Sequence, residues 1–230
     1  MQALHPFKQM GKRPRSRTAP NNSFKPKLLR YTKGMAGKAC HGFGSTTQFG
    51  LTQALGPSHM LSISAPTAED EQDLGQFEFT NRAFFESHIN ARATSFYETG
   101  GVAKAIAVAQ AEAADGSAYQ FLARNGSGHL VARVNLTRVR GDHFHSAELG
   151  YRVAQDHGGK GYATEAVRLA LDYAFVRLRL HRVEAAVRVG NEASAKVLLR
   201  NGFVQFGHSS QSFWLSGQWH DVLHFERHGA

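Results

Sequence analysis

Residues 158–166 read Gly158-Gly159-Lys160-Gly161-Tyr162-Ala163-Thr164-Glu165-Ala166, a glycine-rich turn that runs into a helix. The apolar residues of this helix recur every three or four positions as far as Leu178, which predicts one face against a core. Residues 147–153, just before the turn, are typical of a β-strand. A strand, a glycine turn and a helix N-terminus together favour phosphate binding, because bare backbone amides and the positive end of the helix dipole face the anion. The alternative is an ordinary connecting loop.

Two common nucleotide sites do not fit this turn. A nucleoside-triphosphate loop requires lysine and then serine or threonine after its last glycine, whereas Tyr162 and Ala163 follow Gly161. A dinucleotide site would need an acidic ribose partner further on, and none stands at the expected distance. A phosphate ligand of another kind and an ordinary connecting loop therefore remain as the two interpretations of the turn.

The basic character of the chain is confined to its first quarter. The formal net charge is +9, yet residues 1–59 contain ten Lys or Arg and no Asp or Glu. Residues 60–230 are close to neutral, so a basic surface on a folded domain is not expected. Residues 1–59 also lack apolar periodicity, which predicts a disordered extension. It could be an arm that touches RNA, an organelle transit peptide, or a non-native extension upstream of a true start at Met60.

The remaining composition limits compartment and site chemistry. Cys40 is the only cysteine, so the chain can form no internal disulfide, and residues 60–230 contain no cysteine nucleophile or thiolate ligand. The sequence contains no run of eighteen apolar residues and no signal-peptide pattern, which predicts a soluble, cytoplasmic protein without membrane contact.

Residues 60–230 predict one mixed α/β domain, in which a mostly antiparallel sheet is flanked by helices. Strands are expected at 61–64, 119–123, 130–134, 145–153, 182–187, 203–206 and 219–225. Helices are expected from the acidic cluster at 69–71, around the phenylalanines of 77–89, over 102–113, after the glycine turn, and over 191–200.

Several motifs, in this order and spacing, resemble the GNAT acyltransferase fold and within it the RimJ/RimL group of protein N-terminal acetyltransferases, over about residues 60–230. They are Asn81-Arg82 with Phe84-Phe85, Glu148-Leu149-Gly150-Tyr151, the stretch 159–166, residues 181–185, Asn191-Glu192-Ala193-Ser194, Gly202-Phe203, and Gly217 with Trp219 and Asp221. The Asn81-Arg82 pair and the Trp219-x-Asp221 ending lean toward RimJ.

The resemblance implies acetyl-CoA as cosubstrate and assigns residues to it. Amides of the turn would hold the pyrophosphate, and two neighbouring strands would separate so that one of them pairs with pantetheine. The implied cofactor residues are Leu149, Gly150, Tyr151, Val153, Gly158, Gly159, Lys160, Gly161, Tyr162, Ala163, Thr164, Asn191 and Ser194. Asn191 is equally suited to cap a helix. The family usually has Gln or Arg where Gly158 stands, so we expect a modestly weaker cofactor site.

The resemblance also directs attention to the catalytic groups. Acetyl transfer needs a neutral amine as the nucleophile. The departing thiolate needs either a proton or another group that stabilises it. Glu148 is the candidate base, directly or through a water, with a solvated edge carboxylate as the alternative. Many GNAT enzymes have a tyrosine acid where Leu198 stands here. Ser194 is therefore the candidate thiolate stabiliser, and Tyr151 competes for that role although strand alternation directs it away from Glu148.

The implied reaction is acetylation of a protein N-terminal α-amine, with a small-subunit ribosomal protein as one candidate acceptor. A small-molecule amine or antibiotic is an alternative acceptor, and a non-catalytic acetyl-CoA-binding ribosome factor is a further alternative. No metal site is expected, because the histidines lack carboxylates at ligand spacing. DNA binding is not expected, and RNA could be reached only through the basic extension. The protein could be a monomer or a homodimer.

Overall fold

The computed structural model describes residues 61–229, which contain seven β-strands and five α-helices. The strands are β1 Leu61–Ser64, β2 Tyr119–Asn125, β3 Leu130–Arg140, β4 Ser146–Val153, β5 Arg182–Arg188, β6 Val204–Leu215 and β7 Gln218–His228. The helices are α1 Glu71–Thr80, α2 Arg82–Glu86, α3 Gly101–Asp115, α4 Tyr162–Asp172 and α5 Glu192–Arg200. The predictions for residues 1–59, including Cys40, and for a start at Met60 concern residues outside this range.

All seven strands form one sheet in the order β1-β2-β3-β4-β5-β7-β6. Neighbours pair antiparallel except β4 and β5, which are parallel and are joined through the crossover helix α4. This parallel pairing is short: it runs from Ser146 opposite Arg182 to Glu148 opposite Glu184. Both strands continue beyond these residues, so β4 and β5 separate after Glu148 and open a gap in the middle of the sheet.

Helices cover both faces of the sheet. On one face α4 buries Ala166, Val167 and Ala170 against the main core of inward-facing strand residues, which includes Val134 and Leu149. On the other face Leu74 of α1 and Ile106 of α3 pack on Leu122, whose strand neighbours Phe121 and Ala123 belong to the main core. Because successive strand residues point to opposite faces, α4 and the pair α1–α3 lie on opposite sides of the sheet.

The fold class agrees with the sequence prediction, but the last hairpin is longer than its apolar pattern indicates. The sequence predicts strands over 203–206 and 219–225, whereas β6 and β7 extend over twelve and eleven residues. β6 is an edge strand and is mostly exposed, so its polar stretch has no apolar alternation to reveal it. The phenylalanine-rich helical stretch is also divided, because α1 ends at Thr80 and α2 begins at Arg82.

Candidate active site

A cleft of about 390 Å³ lies at the open end of the β4–β5 gap. Its walls come from α2 and the residues after it, the end of β4, the glycine turn with the start of α4, and α5. The parts of the chain that the sequence singled out are thus brought together, although they are far apart along the chain.

The glycine turn has the geometry of an anion site. Gly159 and Gly161 adopt positive φ angles of 74° and 83°, which favour glycine. The first hydrogen bond of α4 is donated by Glu165 N to the carbonyl of Gly161 at 3.1 Å. The amides of the first three residues of α4, from Tyr162 onward, therefore have no acceptor within the helix. They stand at the positive end of an eleven-residue helix dipole, next to the cleft.

Most of the predicted cofactor residues line this cleft. They are Tyr151, Val153, Gly158, Gly159, Gly161, Tyr162, Ala163, Thr164, Asn191 and Ser194. Three others do not: the side chain of Leu149 is buried in the main core, Gly150 is exposed, and Lys160 donates its ammonium to the carbonyl of Asp156 at 2.8 Å. Any contribution of these three must come from the backbone or require Lys160 to turn. Their cofactor roles remain predictions.

Tyr151 and Ser194 form a hydrogen-bonded pair across the gap. The Tyr151 hydroxyl lies 2.7 Å from Ser194 Oγ and 3.0 Å from the Ser194 carbonyl oxygen. Burial raises the pKa of Tyr151 to about 12, although the hydrogen bond with Ser194 opposes the rise, so the phenol is protonated at neutral pH. Leu198, where a tyrosine acid would stand in many relatives of this fold, is fully buried in the core.

Asn191 caps α5, as its sequence position allows. Its Oδ1 accepts a hydrogen bond from Ser194 N at 3.2 Å. This contact does not use the donor group of the side-chain amide, so capping and ligand binding are compatible. The cap also fixes Ser194 at the start of α5.

Glu148 lies at the point where β4 and β5 separate, outside the cleft-lining set. Its Oε1 accepts a hydrogen bond from Arg138 Nη1 at 2.8 Å, and its side chain is 41 % exposed. Alternation along β4 places Glu148 on one face of the sheet and Tyr151 on the other. Glu148 and the Tyr151–Ser194 pair therefore approach the gap from opposite faces of the sheet.

Sequence reasoning missed a cluster of buried charges behind the cleft. Glu78 of α1 is fully buried and accepts hydrogen bonds from Arg92, Arg133 and Arg152, of which Arg152 lines the cleft. Burial alone would raise the pKa of Glu78, but the three guanidinium groups outweigh it and hold that pKa below its usual value. Arg133 and Arg152 stand directly opposite each other on β3 and β4. Such a like-charge pair signals a buried anion, but only once the strand register is known.

A second missed residue fixes the approach to the glycine turn. Asn81 is buried between α1 and α2, and its Oδ1 accepts a hydrogen bond from Gln155 N at 2.8 Å. Its side-chain amide donates to the carbonyl of Phe77 at 2.9 Å. Asn81 belongs to a motif that carried the family resemblance, and the structure gives it a positioning function.

Within residues 61–229, no group of three or more His, Cys, Asp or Glu side chains could hold a metal ion. The helices in this range are also too short or too polar to cross a membrane.

The sequence matches the family described as "Acetyltransferase (GNAT) domain" over residues 61–204. It is 36 % identical over 152 residues to the probable N-acetyltransferase YjcK of Bacillus subtilis, covering 66 % of this chain and 83 % of that protein. It is 32 % identical over 108 residues to spermidine N(1)-acetyltransferase of Vibrio cholerae, covering 47 % and 62 %. It is also 32 % identical over 107 residues to ribosomal protein uS5-alanine N-acetyltransferase of Escherichia coli, covering 46 % and 55 %.

Solved structures share the fold. The ribosomal-protein-S5-alanine acetyltransferase from Vibrio fischeri superimposes with a TM-score of 0.70 at 23 % identity, covering 74 % of this chain and 93 % of that one. RimJ of Mycobacterium smegmatis in complex with CoA-disulfide superimposes with a TM-score of 0.68 at 24 % identity, covering 73 % and 81 %. At these identities the likeness concerns the fold.

Proposed function

Because this chain belongs to the GNAT family of acetyltransferases, and is thus an acetyl-CoA-dependent N-acetyltransferase, we propose that its acceptor is the N-terminal α-amine of a protein. A small-subunit ribosomal protein is the leading candidate, which would place the reaction in the cytoplasm. The relative that acetylates the alanine of ribosomal protein uS5 supports this acceptor.

The observation that supports the reaction chemistry is the gap between β4 and β5. The glycine turn lies at its open end, and Glu148 and the Tyr151–Ser194 pair approach it from opposite faces of the sheet. Acetyl-CoA would lie in the cleft, with its pyrophosphate on the amides of residues 159–161 and of the first residues of α4, since the Gly158 amide already donates to the carbonyl of Gln155 at 3.1 Å. The edge of β4 that faces β5 has no strand partner after Glu148, so its backbone groups are available to pantetheine. Asn191 would bind a pantetheine amide.

Glu148 would take the proton of the attacking amine, directly or through a water. The amine nitrogen then attacks the thioester carbonyl, the C–N bond forms, and the C–S bond breaks. A free N-terminal amine has a pKa near 8, so only a modest base is required at neutral pH. The ion pair with Arg138 must loosen for this step, and both side chains are sufficiently exposed to move.

The departing thiolate would meet Ser194 on the opposite face. Each hydroxyl of the Tyr151–Ser194 pair has one proton, and two acceptors lie within reach of the Tyr151 hydroxyl. If Tyr151 donates to Ser194 Oγ, the Ser194 hydroxyl hydrogen is not used within the pair and can be donated to the sulfur as a hydrogen bond. Ser194 would stabilise the thiolate in this arrangement, with Tyr151 orienting its hydroxyl.

A small polyamine is the second candidate acceptor, because the chain is also similar to a spermidine N(1)-acetyltransferase. The two acceptors differ in their products. We would incubate the protein with acetyl-CoA and either a peptide of the uS5 N-terminus or spermidine, and identify the acetylated product by mass spectrometry. Peptide acetylation on the α-amine supports the proposal, whereas acetylation of spermidine alone overturns it.

A cellular comparison would identify the acceptor itself. Protein N-termini from cells with and without this protein would be compared by mass spectrometry. Loss of acetylation at one or a few N-termini is expected, and an unchanged set of N-termini would contradict a protein acceptor.

A further inference from the structure

The carboxylate of Glu78 is surrounded by three guanidinium groups. Arg92 binds it through Nε and Nη2 at 3.0 and 2.9 Å, and Arg152 through Nη1 at 2.9 Å. Arg133 donates Nη1 to the same carboxylate and Nη2 to the neutral Gln120 at 2.7 Å. We call these four charged residues the Glu78 cluster.

The Glu78 cluster has an excess of positive charge. One carboxylate faces three guanidinium groups, and in the described part of the chain no second carboxylate contacts Arg133 or Arg152. Burying charge without compensation is costly, so an excess of two positive charges beside a cleft favours an anion in that cleft.

Arg152 is the member of the cluster that reaches the cleft. Its guanidinium lies 5.1 Å from the centre of the Phe85 ring, and its side chain is 19 % exposed. Only Nη1 has an acceptor among the described residues, which leaves the donors of Nε and Nη2 unused. Burial lowers the pKa of Arg152 to about 10, yet the group remains charged at neutral pH.

Other cations near the cleft are less firmly placed. Lys196 is 67 % exposed, with Glu192 at 3.6 Å, and Arg200 is exposed. Lys160 donates to the carbonyl of Asp156, just before the glycine turn. Among the described residues that line the cleft there is no Asp or Glu. Arg152 is thus a fixed, charged donor in a cleft wall without carboxylates.

We propose that Arg152, held in place by Glu78, binds a phosphate group of acetyl-CoA. A guanidinium with free donors suits phosphate oxygens, and its contact with Glu78 fixes its orientation before the ligand arrives. The phosphate neutralises part of the excess charge of the Glu78 cluster. This concerns the donor and does not depend on which amine is the acceptor.

Binding measured without turnover tests the proposal. Isothermal titration calorimetry would measure the affinities of the wild type and of Arg152→Gln for CoA, dephospho-CoA and pantetheine. Where pantetheine binds too weakly for direct titration, its affinity would be obtained by competition with CoA. We expect the substitution to weaken CoA binding about tenfold or more and pantetheine binding less than about twofold. A loss shared by dephospho-CoA indicates the pyrophosphate, and a loss confined to CoA indicates the 3′-phosphate. Equal losses for CoA and pantetheine, or no loss for CoA, overturn the proposal.

Two control variants distinguish a direct contact between Arg152 and the phosphate from a general effect of charge or of impaired folding. Lys104→Gln removes an exposed positive charge on α3 and should leave CoA affinity unchanged. Arg92→Gln also removes one positive charge that contacts Glu78, but Arg92 does not line the cleft. It should therefore weaken CoA binding less than Arg152→Gln does. Equal effects of Arg92→Gln and Arg152→Gln would overturn a direct contact. Should Arg152→Gln fail to fold, Arg152→Lys keeps the charge, and selective loss of CoA over pantetheine is again expected.

Discussion

Glu148 is the residue on which the proposed amine activation depends. Substitution Glu148→Gln keeps the size of the side chain and removes its basicity, so kcat should fall by about a hundredfold or more. CoA affinity should stay the same, because Glu148 lies outside the cleft lining. The measurement is turnover at saturating substrates between about pH 6 and 9.

The control for Glu148 is Glu98→Gln, which removes an exposed carboxylate elsewhere and should keep full turnover. Unchanged kcat for Glu148→Gln over the whole pH range would exclude this residue as the base.

The Tyr151–Ser194 pair should behave as one unit. Tyr151→Phe and Ser194→Ala each break the same 2.7 Å contact, so each should lower kcat by about tenfold, and the double variant should be little worse than either. Losses that multiply in the double variant would show that the two hydroxyls act independently. CoA titrations on the same variants separate a change in kcat from a change in binding.

At the scale of elements, the glycine turn is held by contacts from helices remote in sequence. Asn81 at the α1–α2 junction accepts from Gln155 N, and Asn201 after α5 donates to the carbonyl of Thr164 at 3.2 Å. Both asparagines are buried. The turn therefore depends on α1, α2 and α5 for its position, and its own glycines set only its local shape.

Asn81→Ala tests this dependence. It removes two hydrogen bonds, one from the Gln155 backbone amide and one to the Phe77 carbonyl, so the free energy of unfolding should drop by about 1–3 kcal/mol. CoA affinity should also fall, since Gln155 leads into the turn. Denaturant unfolding and CoA titration are the measurements.

The matched variant Asn81→Asp keeps an acceptor for Gln155 N, loses the donor to Phe77 and adds a negative charge. It should retain more CoA affinity than Asn81→Ala. Equal affinities for the two variants would mean that the Gln155 contact does not position the turn.

At the scale of the whole molecule, the Glu78 cluster joins α1, the segment after α2, β3 and β4 through one carboxylate. Glu78→Gln leaves the buried guanidinium of Arg133 and the partly buried ones of Arg92 and Arg152 without a counter-charge, so the free energy of unfolding should fall by about 3–5 kcal/mol. Glu86→Gln breaks the partly exposed pair with Arg82, which bridges two positions of one helix turn, and should change stability by less than about 0.5 kcal/mol. Denaturant unfolding of both variants makes the comparison, and equal effects would contradict a structural role for the cluster.

The same cluster sets a pH dependence. The pKa of Glu78 is lower in the folded protein than in the unfolded chain, so its contribution to stability is full above the unfolded value. That contribution is lost as the pH falls through the lower, folded value. Wild-type stability should therefore decline in acid more steeply than that of Glu78→Gln, measured by unfolding at a series of pH values.

The order and spacing of motifs along the chain indicated the family, and local sequence determined the glycine turn, the helix that follows it and the N-cap at Asn191. Each of these three depends on residues close together in the chain. The turn requires glycines that tolerate positive φ angles, the helix shows apolar residues every three or four positions, and the cap is an Asn whose side chain accepts from the amide three residues later. β6 escaped this reasoning in part, because an exposed edge strand has no apolar face to display. Predictions for Leu149 and Lys160 named residues whose side chains the fold directs away from the cleft.

Only the tertiary structure brought together Tyr151 with Ser194, Asn81 with Gln155, and Glu78 with its three arginines. These partners are separated by 43, 74 and between 14 and 74 residues. Local periodicity shows which face of an element is apolar, but buried polar contacts depend on strand register and helix placement. The sequence therefore identified the turn where acetyl-CoA would bind, and the packing of distant elements decided which charges and hydroxyls surround it.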